Sequence, residues 1–164
     1  MDEIGARWFA YVRHAEYAKI AGGGRRNDGR PLTELGVTQA RAAGDFLADV
    51  IRRHGLRVAE VVTTATQRTQ QTADVILTRV DASPPARREA SIGRGGDVAD
   101  RMALWTADLR AGELLLIVGH GPSLSAVLDL VGLRTSALGS LHGAVAVGRR
   151  DGEGWSRMAF FPEK

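Results

Sequence analysis

Two histidines in this chain stand beside residues that bind anions, and each follows an apolar run. The first is His14, in Phe9-Ala10-Tyr11-Val12-Arg13-His14-Ala15-Glu16. The second is His120, in Leu114-Leu115-Leu116-Ile117-Val118-Gly119-His120-Gly121. A histidine at such a point can act as nucleophile or general base. An arginine next to it can hold an anion in a fixed orientation. A third polar stretch, Thr63-Thr64-Ala65-Thr66-Gln67-Arg68, follows another β-branched run and adds a second guanidinium.

These residues suit phosphoryl transfer. The moving group spreads negative charge over three oxygens, so positioning and positive charge do most of the work. Arg13 and Arg68 supply two permanent charges, and His120 supplies a further hydrogen bond. Helices starting near Gln67 and Ser123 add backbone donors and a favourable dipole. His14 carries a lone pair for in-line attack on phosphorus, and water then hydrolyses the phosphohistidine. The two arginines supply the charge a metal would bring, so no cofactor is expected. An alkoxide leaving group needs a proton. Glu89 is the best candidate donor, with Glu16 and Asp28 as alternatives. A metal site lacks a third ligand at suitable spacing from His14 and His120. A serine-hydrolase elbow is excluded, because Gly119-His120-Gly121 places histidine between the glycines.

The elements that would position these residues follow from periodicity. Trp8 to Val12 read as a strand after a loose tail at residues 1–6. Residues 15 to 31 read as a loop, and the three glycines Gly22 to Gly24 argue against any regular element there. Thr33 caps a helix with Glu34 in its first turn, and Gly55 ends it after His54. Glu60 to Thr64 is a second strand, and a helix runs from about Thr66 or Gln67 to Val80. Residues 81–85 form a turn, and 86–96 are irregular. A helix from about Asp97 to Leu109 precedes the buried strand Leu114–Val118. Pro122 suits the first turn of the next helix, about Ser123 to Val131. Ala144–Val147 and Ser156–Phe160 close the chain as two strands joined by a hairpin loop at 149–154. Strands alternating with helices imply a mostly parallel sheet covered on both faces. Such sheets bind ligands beyond the carboxyl ends of their strands, where Arg13-His14, Thr64 to Arg68 and His120 all fall.

The 164 residues suit one domain spanning 1–164. No apolar run reaches membrane-spanning length and no signal peptide opens the chain, so no membrane partner is expected. The absence of cysteine excludes disulfides and thiolate chemistry, and it fits a cytoplasmic setting. The net charge is +3, carried almost entirely by arginines. The basic pairs are scattered without interleaved aromatics, which argues against nucleic acid and for a small anionic partner. His54 reads as a helix-end residue, and Trp8, Trp105 and Trp155 as packing. His142 is structural or lines the site. The glycine loop with Arg25, Arg26 and Arg30 is either a lid over an anionic substrate or surface.

Taken together these stretches resemble the histidine phosphatase (phosphoglycerate mutase-like) superfamily. Tyr11 to Glu16 resembles its Arg-His-Gly signature, with Ala15 in place of the glycine. Leu32-Thr33-Glu34-Leu35-Gly36-Val37-Thr38-Gln39-Ala40 resembles its Leu-Thr-x-x-Gly-x-x-Gln-Ala helix start. The stretch from Thr63 to Ala73 resembles its Ser-x-x-x-Arg-x-x-x-Thr-Ala segment, and Val118 to Gly121 its second histidine motif. The resemblance implies a three-layer α/β/α fold with His14 as nucleophile. It implies Arg13, Arg68 and His120 as phosphoryl ligands, and Glu89 in Glu89-Ala90-Ser91-Ile92-Gly93 as acid. The short chain and Arg-His-Ala-Glu wording are most similar to the SixA-like phosphohistidine phosphatase branch. The absence of cap insertions implies an open site and a phosphorylated small molecule or phosphoprotein as substrate. The rival readings are a phosphate-binding protein on the same fold, or a mutase-like phosphotransferase.

Overall fold

A computed structural model of the chain describes residues 6–80, 85–91, 96–133, 140–152 and 154–162. The strands are β1 (Ala6–Arg13), β2 (Arg57–Thr63), β3 (Ala86–Glu89), β4 (Glu113–Gly119), β5 (Val145–Asp151) and β6 (Gly154–Phe161). The helices are α1 (Glu34–His54), α2 (Gln67–Arg79), α3 (Gly96–Thr106) and α4 (Gly121–Leu130). The sheet order is β3-β2-β4-β1-β5-β6. The first four strands in that order are parallel, and β5 and β6 are antiparallel.

β1 alternates between two cores, as a strand buried on both faces must. Trp8, Ala10 and Val12 pack with Leu47 and Val50 of α1 and Ala73 and Ile76 of α2. Phe9 and Tyr11 pack on the other side with Met102 of α3 and Leu124 and Val127 of α4. These two cores make the three layers α/β/α that the alternation of elements predicts. α1 is capped as expected: the Gly36 N–H donates to Thr33 Oγ1 at 3.0 Å, and Gly55 stops the helix at φ 63°. Among the described residues, no helix is long and apolar enough to cross a membrane.

The structure corrects four expectations. Residues 86–89, read as irregular, form an edge strand beside β2 with every residue exposed. Its charged sequence hid it, since a solvated edge shows no apolar alternation. The glycine stretch does hold a regular element, a 3-10 turn at Gly24–Gly29. Gly22 and Gly24 take φ of 67° and 52°, so they build the turn rather than break it. Residues 149–151, read as hairpin loop, are strand, with Arg149 opposite Ser156 and Arg150 opposite Trp155. The third helix stops at Thr106, short of Leu109. Strand ends also extend beyond those expected, to Ala6, Arg57 and Gly154. The expected tail at 1–5, turn at 81–84, irregular residues 92–95 and loop residue 153 lie outside the described residues.

α1 and α2 anchor the chain just after the first histidine. Glu16 N–H donates to Gln39 Oε1 at 2.9 Å, and Ala15 N–H donates to Thr72 Oγ1 at 3.0 Å. Thr33 N–H donates to the Glu16 carbonyl at 3.1 Å. A Cβ on Gly36 would lie 2.0 Å from that same carbonyl oxygen, so only glycine lets α1 approach this closely. Gly36→Ala should therefore lower stability by about 1–3 kcal/mol through overpacking. Urea denaturation checks this; an unchanged midpoint would remove the close approach as a constraint.

Candidate active site

The parallel register brings the expected residues to one edge. Arg13 pairs with Gly119 and Val12 with Val118 across β1 and β4, while Thr63 pairs with Val118 across β2 and β4. His14 N–H donates to the Gly119 carbonyl at 2.8 Å. His14 and His120 therefore leave adjacent strands side by side, with ring centroids 5.3 Å apart. Arg68 enters from the first turn of α2, whose cap is Thr66.

His14 is buried, with 5% of its surface exposed. Its Nδ1 lies 2.9 Å from the Ala15 carbonyl oxygen. A carbonyl only accepts, so Nδ1 carries the proton and Nε2 keeps its lone pair. Burial pulls the His14 pKa down to about 3, and the charges of His120, Arg68 and Arg13 push the same way against the Ala15 bond. His120 is pulled down to about 4, first by burial and then by Arg68 and Arg13, with Asp28 opposing. The Thr64 hydroxyl and His120 Nε2 are hydrogen bonded at 3.1 Å. Both imidazoles are neutral near pH 7.

The arginines are held differently. The Arg68 guanidinium carbon lies 4.5 Å from the centroid of the Tyr17 ring, a cation–π contact. Arg68 Nη1 donates to the Asn27 carbonyl at 3.4 Å and to Asp28 Oδ1 at 3.2 Å. Its Nε is buried with no partner in the protein, as are Arg13 Nε and Nη1. Buried unpaired N–H groups are costly, and on guanidinium forks they are donors arranged for an anion.

Arg13, His14, Arg68 and His120 thus come together, as expected. Glu89 stands at the same sheet edge, at the end of β3 opposite Thr63. Its carboxylate accepts from Gln70 Nε2 at 2.5 Å and lines a cavity of about 390 Å³ with Thr63, Gln70, Asp74, Arg87 and Arg88. Arg87 and Arg88 pair with Asp74 and Glu60. Two residues at the site, Tyr17 and Asn27, carry no signal for it in the sequence, and Thr64 lies in a stretch placed at this edge without a role of its own. Tyr17 stacks on Arg68 and lies edge-on to His14 at 5.4 Å. Thr64 bonds His120. Asn27, buried, supports Arg68. No local signal marks a ring that matters through an arginine on another element. His142, left open between structure and site, stands 5.5 Å from His14.

The family model described as the histidine phosphatase superfamily (branch 1) matches residues 9–93, over half of the chain. The chain belongs to this superfamily. The serine/threonine-protein phosphatase Pgam5, mitochondrial, of Drosophila willistoni is 36% identical over 76 residues, covering 46% of this chain and 24% of that protein. The chain thus spans about a quarter of the length of the curated relatives it matches. The SixA protein of Agrobacterium tumefaciens, assigned as a phosphohistidine phosphatase, superposes with a TM-score of 0.71 at 23% identity, over 96% of this chain and 99% of that one. A protein histidine phosphatase SixA complexed with tungstate superposes with a TM-score of 0.72 at 18% identity, over 93% and 95% of the two chains. These likenesses show the phosphoglycerate mutase-like fold, with its mostly parallel six-stranded sheet.

The depressed histidines carry a stability consequence. The unfolded chain takes up protons at its histidines near pH 6.5, while folded His14 and His120 stay neutral to about pH 3 and 4. The unfolded state then binds more protons, so stability falls as pH drops below 6.5. His14 alone should remove roughly 1.5 kcal/mol between pH 6.5 and 5, above the range where ordinary carboxylates titrate. Urea midpoints at the two pH values measure it, and equal midpoints would contradict the neutral, buried His14.

Proposed function

We propose that this chain is a metal-independent phosphatase that hydrolyses phosphomonoesters or phosphohistidine through a phosphohistidine intermediate on His14. The observation that supports it most is the His14 tautomer. Its Nε2 lone pair is free within a cluster that holds the unpartnered N–H groups of Arg13 and Arg68. The tungstate held by a relative of the same fold is an oxyanion of the kind this cluster suits.

The phosphoryl oxygens take the donors of Arg13 and Arg68 and a hydrogen bond from His120. Nε2 of His14 attacks phosphorus in line. The new N–P bond forms as the bond to the leaving oxygen or nitrogen breaks, and the proton stays on Nδ1, hydrogen bonded to the Ala15 carbonyl. Glu89 delivers a proton to an alkoxide leaving group. Water then attacks phosphorus and passes a proton to Glu89, the N–P bond breaks, and phosphate leaves with His14 restored as the neutral tautomer. The arginines stabilise the charge in both steps, which is why chelators should not inhibit. The setting proposed is the cytoplasm, and the substrates are phosphorylated small molecules or phosphoproteins.

Hydrolysis of an aryl phosphate in EDTA tests this reading, and His14→Ala should lower kcat by at least about a thousandfold. Full activity in that variant would overturn it. A second measurement reads the acid. Imidazole is a better leaving group than an alkoxide, so phosphohistidine needs less help from Glu89. Glu89→Gln should cut kcat on an alkyl phosphate by about a hundredfold while changing phosphohistidine hydrolysis by under about tenfold. Equal losses on both substrates would remove Glu89 from the acid role.

A further inference from the structure

One charged group at the site has no part in the steps above. Asp28 places a carboxylate oxygen 3.2 Å from Arg68 Nη1. Its charge also reaches His120, where it opposes the effects of burial and the two arginines.

The position is built. Residues 17–32 form a loop closed at its base, where Tyr17 bridges Leu32 and Ala18 N–H donates to the Pro31 carbonyl at 2.8 Å. Inside it, Asn27 accepts from Ile20 N–H at 2.8 Å and donates to the Ile20 carbonyl at 3.2 Å. Arg30 Nε donates to the Ala18 carbonyl at 2.9 Å. Asp28 follows the buried Asn27 within the 3-10 turn, so its carboxylate is delivered to Arg68 by a braced backbone.

Arg68 does not need Asp28 to stay in place. Its side chain is 13% exposed, stacked on Tyr17 and bonded to the Asn27 carbonyl. The Asp28 side chain is 51% exposed, and ion pairs with so solvated a partner contribute little stability. What Asp28 does bring is a negative charge at a cluster arranged for anions.

Resting on the phosphatase reading, we infer that Asp28 is an internal counter-anion of the phosphoryl site: it competes with bound phosphoryl oxygens for Arg68 and sets how weakly the site holds free phosphate. A phosphoryl group bridging Arg13 and Arg68 brings like charge against this carboxylate. The repulsion is felt by any phosphoryl dianion on Arg68, so the product phosphate is held weakly. Asp28 thereby speeds product release. Two like charges a few ångströms apart in a partly solvated site change affinity by about tenfold.

The test is calorimetric titration of inorganic phosphate and of tungstate into the wild-type protein, Asp28→Asn and Asp28→Ala at fixed pH and ionic strength. Both variants should bind both anions about tenfold more tightly, and phosphate should inhibit aryl phosphate hydrolysis more strongly in each. A role in aligning Arg68 would weaken binding, which the charge argument forbids. Unchanged or weaker binding, or opposite shifts in the two variants, would overturn the inference. Tighter anion binding in variants of a protein that hydrolyses nothing would sink the phosphatase reading alone. Failure of all three proteins to bind either anion would overturn both.

Discussion

The main-chain hydrogen bond from His14 N–H to the Gly119 carbonyl, 2.8 Å long, extends the β1–β4 ladder past the end of β1. Side chains alternate along a strand, so a slip of one residue in this ladder would exchange the two faces of β1. Phe9 and Tyr11 would then meet α1 and α2, and Trp8 and Val12 would meet α3 and α4. Each core is already filled by different partners. The apolar packing of both layers therefore enforces one register, and that register puts His14 beside His120. The candidate site inherits its register from the core.

That centre opposes the stability of the fold around it. Arg13 carries two buried N–H groups without protein partners, and burial pulls its pKa down. Two imidazoles are held neutral well below their usual range by burial and by nearby positive charge. Each arrangement costs folding free energy and each favours an approaching anion. The backbone at residues 15 and 16 is braced beside the site by three hydrogen bonds, to Gln39, Thr72 and Thr33.

The legible parts of the chain were those with local signals. The apolar runs of β1 and β4 end at His14 and His120, and strand ends in an α/β sheet meet at one edge, so the juxtaposition of the two histidines is read directly. α1 announced both ends through Thr33 and Gly55. Where tertiary contacts decide, the sequence was mute. β3 is four charged or small exposed residues whose strand geometry comes from pairing with β2. Tyr17 matters only because Arg68, from another element, lies over its ring. Thr33, Gly36, Gln39 and Thr72 were visible as a family pattern, but their physical work, gripping residues 15 and 16, needed the packed helices to be seen. The three glycines were read as a break because positive φ is invisible in one dimension.

The closure of the 17–32 loop at its own base has a different kind of consequence. The Tyr17–Leu32 bridge and the Ala18-to-Pro31 hydrogen bond isolate the tip mechanically from β1 and α1. A loop tied in this way behaves as a cassette. Within its tip the exposed Arg25 and Arg26 can change while Asn27 and Asp28 still meet Arg68. Selection can redraw this rim without rearranging the contacts that hold Arg68 and His14.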